Sequence, residues 1–228
     1  MLIHIPKVLT EAQLQACRQA LESAPWMEGK LTAGRLTQPV KNNMQVPAGH
    51  PIARRLSEMI LEALKKNALF MRAALPLRFV PPLFNRYTPG EYYGDHVDAT
   101  VQQAWGTNDR VRTDLSATLF ISAPEEYDGG ELTLVDDLGE RALKLPAGDM
   151  MLYPATSIHH VSPVTRGARI ASFFWMQSMV RDHHQRTVLF DIGTALQQFE
   201  EALPDRHPAI TKLTGVYFNL FRLWTDTG

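Results

Sequence analysis

Leu115-Ser116-Ala117-Thr118-Leu119-Phe120-Ile121 is the stretch on which the fold turns. Leu115, Ala117, Leu119 and Ile121 alternate with Ser116, Thr118 and Phe120, the period of two that sends successive side chains to opposite faces of a strand. Downstream, Leu132 and Leu134 follow the turn signal Asp128-Gly129-Gly130, and Leu143 and Leu145 run into a second turn, Pro146-Ala147-Gly148-Asp149. Met150 to Tyr153, Ile158 to Val164 and Ile170 to Gln177 extend the series. Short strands punctuated by glycine and proline, from about Leu77 onward, indicate a mainly β fold of the sandwich or jelly-roll kind.

Both ends read as helix. Thr10 with Gln13 resembles a capping box, after which Leu14, Cys17 and Leu21 recur at helical spacing. A second helix opens at Pro51 with Ile52, Leu56, Ile60 and Leu64 along one face. Between them, Gly29 to Gly49 lacks clear periodicity and reads as loop with room for one strand. After Gln177, Val188, Ile192, Leu196, Phe199 and Leu203 trace an apolar stripe, Pro204-Asp205-Arg206-His207-Pro208 breaks it, and Leu213, Tyr217, Leu220 and Trp224 trace another. The expected organisation is a helical support region over 1–76, a β-core over 77–178 and a C-terminal helical appendage over 179–228. The last helix gathers Val216, Tyr217, Leu220, Phe221, Leu223 and Trp224 within nine residues, so part of it is expected to form a homodimer interface; packing within one subunit is the alternative.

Composition narrows the partners. Of 228 residues, 23 are basic and 24 acidic, giving a formal net charge of −1 with no long run of either sign. Nothing here suggests electrostatic capture of nucleic acid or of an anionic membrane. Cys17 is the single cysteine, which excludes an intramolecular disulfide framework. The start of the chain has no basic lead or extended apolar run of a signal peptide, and no stretch approaches the ~18 apolar residues of a membrane span. A cytoplasmic protein is expected.

His96-Val97-Asp98 offers an imidazole and a carboxylate two residues apart, a spacing that in extended backbone projects both to one side. Asp95 points the other way. By itself such a pair is as readily two polar residues in a solvated loop. The segment Ile158-His159-His160-Val161-Ser162-Pro163 supplies a third ligand, and Arg169 follows ten residues after His159. Two imidazoles and one carboxylate on one face of an octahedral ion leave positions open, as Fe(II) oxygenases require, with residual positive charge for an anionic co-substrate. If Thr165-Arg166-Gly167 is a three-residue hairpin loop, Arg169 opposes Pro163, and His159 and Arg169 share a face. A two-residue loop would separate them.

His96-x-Asp98, His159 and Arg169 together resemble the Fe(II)/2-oxoglutarate dioxygenases of the prolyl and lysyl hydroxylase type. Tyr87-Thr88-Pro89-Gly90, Gly129-Gly130-Glu131-Leu132 and Gly148-Asp149 match as well, and the likeness is strongest to bacterial PKHD-type hydroxylases over about Leu77 to Gln177. The resemblance implies a double-stranded β-helix and places Fe(2+) on His96, Asp98 and His159, choosing His159 over His160. It implies that Arg169 takes the distal carboxylate of 2-oxoglutarate, where a planar fork suits a carboxylate. Tyr87 either adds a hydrogen bond to the co-substrate or is an ordinary half-buried strand-end tyrosine. Substrate hydroxylation with release of succinate and CO2, and L-ascorbate as auxiliary reductant, are likewise implied. So is a substrate that is either a small molecule such as a siderophore or a protein residue.

Other outcomes stay open from sequence: a same-fold oxygenase that demethylates or desaturates, or a non-catalytic sensor binding iron or 2-oxoglutarate. His183-His184 is a second histidine pair without an evident third ligand, expected to be structural or exposed. His4, His50 and His207 each stand alone.

Overall fold

Local signals set the N-terminal elements. In the computed structural model, which describes residues 1–136, 139–203 and 207–227, the chain opens with strand β1 (Ile3–Ile5) and helix α1 (Glu11–Glu22). The capping box forms: the Gln13 N–H donates to Thr10 Oγ1 at 3.3 Å and the Thr10 N–H to Gln13 Oε1 at 3.0 Å. Three two-residue strands follow, β2 (Met27–Glu28), β3 (Lys41–Asn42) and β4 (Met44–Gln45), with short 3₁₀ turns between β2 and β3. Helix α2 (Pro51–Lys66) begins at its proline, with His50 Nδ1 accepting from the Ile52 N–H. Helix α3 (Ala68–Ala74) is an addition to the sequence reading; Asn67 caps it and Leu75, at φ +43°, ends it.

The strands that follow are β5 (Pro76–Phe79), β6 (Leu83–Tyr87), β7 (Tyr92–His96), β8 (Val101–Gln103), β9 (Arg110–Arg112), β10 (Leu115–Phe120) and β11 (Tyr127–Gly129). After them come β12 (Leu132–Asp136), β13 (Gly139–Leu143), β14 (Met150–Pro154), β15 (Ile158–Val161), β16 (Val164–Gly167) and β17 (Arg169–Ser178). A larger antiparallel sheet runs β1-β14-β10-β17-β6-β4-β2, with β5 also paired to β17; a smaller one runs β13-β12-β15-β7-β3. The two sheets form the jelly roll and enclose a cavity between them.

Alternation decides which side chains enter that cavity. On β10, Leu115, Ala117 and Leu119 join Leu56, Ile60 and Leu64 of α2 in the main hydrophobic core on the helix-covered face. Ser116 and Thr118, on the opposite face, line the cavity. β10 is buried on both sides, so its polar alternates are interior groups that need partners. Truncating Leu56, Ile60 or Leu64 to alanine is expected to cost about 2–5 kcal/mol, the usual range for a core cavity.

Two expectations are corrected. β16 does not fold back on β17 as a hairpin. It pairs with β11, opposing Arg166 to Asp128, while β17 crosses to the larger sheet and sets Arg169 opposite Tyr87. Gly167, at φ +73°, lies just before that crossing, with the Glu126 backbone too close for any Cβ. The apolar stripe of helix α4 (His183–Ala202) is also shifted: Arg186, Leu189 and Leu196 are buried, whereas Val188 and Phe199 are exposed. Residues 204–206 of the expected break lie outside the described residues; His207 caps and Pro208 begins helix α5 (Pro208–Trp224). Tyr217, Leu220, Phe221 and Trp224 pack toward Leu75, Val180 and Leu189 of the same chain, and Val216, Phe218 and Leu223 face outward. Among the described residues no helix is long and apolar enough to cross a membrane.

Candidate functional site

Strands β7 and β15 lie side by side with His96 directly opposite His159, their ring centroids 4.2 Å apart. The ladder carries an irregularity between this pair and the Val161–Tyr93 pair. That irregularity lets Tyr93 and His96, three residues apart, both face the cavity with rings stacked at 3.7 Å, which an unbroken period of two would forbid. Each histidine is oriented through the nitrogen away from the cluster. His96 Nδ1 lies 2.8 Å from the Gly94 carbonyl, and His159 Nδ1 lies 3.0 Å from that of Ser157. Backbone acceptors hold the proton on Nδ1 and leave Nε2 as a lone-pair donor.

Asp98 follows the end of β7 and completes the cluster. Its Oδ2 is 3.7 Å from His159 Nε2 and accepts a 2.6 Å hydrogen bond from Ser116 Oγ on β10. One ligand atom from each of His96, Asp98 and His159 lies within 4.8 Å of the others. Two neutral imidazoles and one carboxylate suit a divalent first-row ion and leave other coordination positions open. Burial, reinforced by His159, lowers the His96 pKa to about 4, so the imidazole is neutral and ready to ligate at physiological pH. Tyr153 stands edge-on to His159 at 5.1 Å, its phenol pushed well above the ordinary range by burial and by Asp98.

Arg169 lies in the same cavity, on β17. It is 1% exposed, and none of its three guanidinium nitrogens finds a hydrogen-bond partner among the described residues. Its guanidinium carbon is 5.3 Å from the Tyr87 ring centroid and 5.4 Å from that of Phe120. Burial raises the Tyr87 phenol to about 12, with Arg169 acting the other way, and its hydroxyl accepts from Asn85 Nδ2 at 3.4 Å. Both side-chain polar atoms of Asn43, and Oδ1 of Asn85, are also buried at this cavity without hydrogen-bond partners among the described residues. A space of about 420 Å³ lined by so many unanswered polar groups is built for a polar ligand. Gly130, at φ +66°, lets the chain pass Arg169: a Cβ there would sit 3.2 Å from Arg169 Cδ and 2.9 Å from Val164 Cγ2.

The five residues singled out from sequence, His96, Asp98, His159, Arg169 and Tyr87, all line one cavity. Asp95 and His160 turn away and bond to each other at 2.7 Å. His183 meets the amino group of Met1, His4 pairs with Asp149, and His50 and His207 cap helices. The sequence reading missed Lys41, Asn43 and Gln45, which reach the cavity from the aperiodic segment, and Ser116 behind Asp98. For Ser116 the signal was present: it is the polar alternate of a strand buried on both faces. Lys41 is 7% exposed, and burial lowers its ammonium to about 8 against the opposing pull of Asp98.

Comparison with known proteins gives the family. Residues 82–177 match the profile of the 2OG-Fe(II) oxygenase superfamily, and residues 183–226 that of the PKHD-type hydroxylase C-terminal domain. A PKHD-type hydroxylase of Methylobacillus flagellatus is 52% identical over 227 residues, covering all of both chains. One from Burkholderia ambifaria is 52% identical over 226 residues, 99% of this chain and all of the relative. In fold, a prolyl-4-hydroxylase of Pseudomonas putida superposes with a TM-score of 0.51 at 19% identity, over 78% of this chain and 92% of its own. The carbocyclase SnoK from nogalamycin biosynthesis gives 0.55 at 17%, over 78% and 80%. The chain belongs to the PKHD-type hydroxylases of the 2OG-Fe(II) oxygenase superfamily and is an oxygenase enzyme.

Proposed function

We propose that the enzyme hydroxylates a C–H bond of its substrate with O₂ and 2-oxoglutarate, releasing succinate and CO₂. Fe(II) is held by His96, Asp98 and His159, and the distal carboxylate of 2-oxoglutarate by Arg169, with Tyr87 beneath the guanidinium. The observation that carries this reading is the sharing of one cavity by a three-ligand cluster and a buried guanidinium without an acceptor. A five-carbon dicarboxylate answers both: one end suits an ion with open positions, and the other supplies the planar anion that Arg169 lacks. When bound, the iron and 2-oxoglutarate supply the oxidising chemistry.

The chain's own residues bind, orient and keep water out. Gly94 and Ser157 carbonyls fix the imidazoles, Ser116 fixes the Asp98 carboxylate, and Tyr87, Phe120 and Tyr153 surround the charged groups with low-dielectric walls. The substrate is a small molecule or a protein residue that enters past the 32–37 segment, whose Leu36 is exposed at the rim. A cytoplasmic setting, where reduced iron and 2-oxoglutarate are both available, and ascorbate as auxiliary reductant complete the proposal.

The test is aerobic incubation of the protein with Fe(II), 2-oxoglutarate and candidate substrates, with and without ascorbate, followed by mass spectrometry. Expected are succinate and one added oxygen on the substrate, both absent with His159→Ala. Metal and 2-oxoglutarate uptake without succinate would favour a sensor, and loss of mass from the substrate would favour demethylation or desaturation.

A further inference from the structure

The cavity holds more positive charge than the proposed iron and 2-oxoglutarate can use. Its charged lining residues are Arg35, Lys41 and Arg169 against a single carboxylate, Asp98. Arg35 is exposed, where water and salt screen it. Lys41 and Arg169 are buried, and neither forms an ion pair with a carboxylate among the described residues. A buried cation without a counter-charge is costly and persists where something else needs it. On the reading above, the two charges of Fe(II) are matched by the two of 2-oxoglutarate, and Asp98 offsets one of the two buried cations. One positive charge is left over. With Arg169 committed to the co-substrate, it falls to Lys41.

Position gives that charge a use. Lys41 is on β3, the edge strand of the smaller sheet, in register with Tyr93. Its Nζ sits 5.2 Å from the Tyr93 ring centroid, and that ring stacks on His96. The ammonium therefore stands one aromatic ring away from the metal cluster. It donates to Thr32 Oγ1 at 3.3 Å, the start of the segment that forms the cavity rim, while Arg169 lies on the other sheet. Between rim and cluster is where a substrate, rather than a resident group, must pass. Leu83, Phe173 and Trp175 give the same space an apolar and aromatic stretch of wall.

We propose that Lys41 anchors an anionic group of the substrate, a carboxylate or comparable organic anion carried on an apolar body that lies along Leu83, Phe173 and Trp175. This rests on the function proposed above and names the substrate class for that site. An ammonium with free donors, away from bulk water, recognises a carboxylate by charge-assisted hydrogen bonding and rejects its neutral counterpart.

The experiment titrates matched acid and amide pairs (phenylacetate, 3-phenylpropanoate and hexanoate with their amides) into protein loaded with Mn(II) and 2-oxoglutarate, followed by calorimetry. Uptake of Mn(II) and 2-oxoglutarate is measured first; its failure in the wild type would overturn the proposed function, independently of Lys41. Given that uptake, the acid of at least one pair is expected to bind about tenfold or more tightly than its amide. Lys41→Met should erase that preference, Lys41→Arg should restore part of it, and 2-oxoglutarate affinity should be unchanged in both, which also reports an intact fold. No acid preference in the wild type, or a preference that survives Lys41→Met, would overturn the proposal. So would a loss that appears in the 2-oxoglutarate titration, since Lys41 would then serve the co-substrate carboxylate.

Discussion

Asp95 and His160 meet at 2.7 Å on the side of the β7–β15 ladder away from the cavity, although each adjoins in sequence a member of the metal cluster. The pair shows how alternation sorts neighbours: His159 goes in and His160 goes out. Replacing His159 with alanine is accordingly expected to abolish tight Fe(II) or Mn(II) binding, whereas His160→Ala should leave it within a few-fold of wild type. Metal titration by calorimetry checks this, and the reverse order of effects would show the register of β15 to be wrong.

Ser116 meets the proposed metal ligands through Asp98, donating to its Oδ2 at 2.6 Å. Loss of such a supporting hydrogen bond typically weakens metal affinity by roughly 10–100-fold. Ser116→Ala is expected to do so without lowering the melting temperature of the metal-free protein by more than a few degrees. Unchanged metal affinity would remove Ser116 from the site.

On the proposed function, Arg169→Ala is expected to remove a charge-assisted, two-pronged contact of about 1.5–3 kcal/mol, roughly a 10- to 150-fold loss of 2-oxoglutarate affinity. Arg169→Lys should recover part of it, because the ammonium keeps the charge and loses the planar fork. Metal affinity should change little in either variant. A 2-oxoglutarate titration indifferent to both substitutions would refute the assignment.

Acid should destabilise the metal-free protein through His96. Folding lowers this histidine from 6.5 to about 4, through burial and the neighbouring His159. The unfolded chain therefore takes up the proton first. The contribution to stability is whole above pH 6.5, drains away as pH falls toward 4, and is gone below that. Unfolding free energies of wild type and His96→Asn, measured in chelator from pH 7 to 4, should converge as pH falls. Parallel curves would mean that His96 does not titrate between those limits.

For a homodimer through the C-terminal helices, the outward face of α5 is what remains, because Phe221 and Trp224 pack partly against their own chain. We propose that Val216 and Leu223, two turns apart on one side of the helix, form the contact. Val216→Glu and Leu223→Glu should convert a dimer to a monomer in light scattering with little change in melting temperature, whereas Trp224→Glu should lower the melting temperature. A wild type that is monomeric at micromolar concentration ends the proposal.

The sequence by itself determined the strand character of Leu115 to Phe120, the capping box at Thr10 and the turn at Gly129-Gly130, and it singled out His96, Asp98, His159 and Arg169, which line one cavity. These are local signals: alternation says which residues share a side, and a cap or glycine says where an element starts or stops. Which strand lies beside which is a non-local matter, and there the tertiary structure decided. Arg169 reaches the cavity from the larger sheet, opposite Tyr87, and not from a hairpin with the His159 strand. Lys41 and Gln45 come from strands of two residues, too short to carry a period, with Asn43 between them, and become interior because β7 and β6 pair with those strands. The same holds for α4, where Leu196 of the expected stripe is buried but Val188 and Phe199 give way to Leu189: an apolar helix face is fixed by what it packs against, and the sequence of one helix does not contain its neighbour.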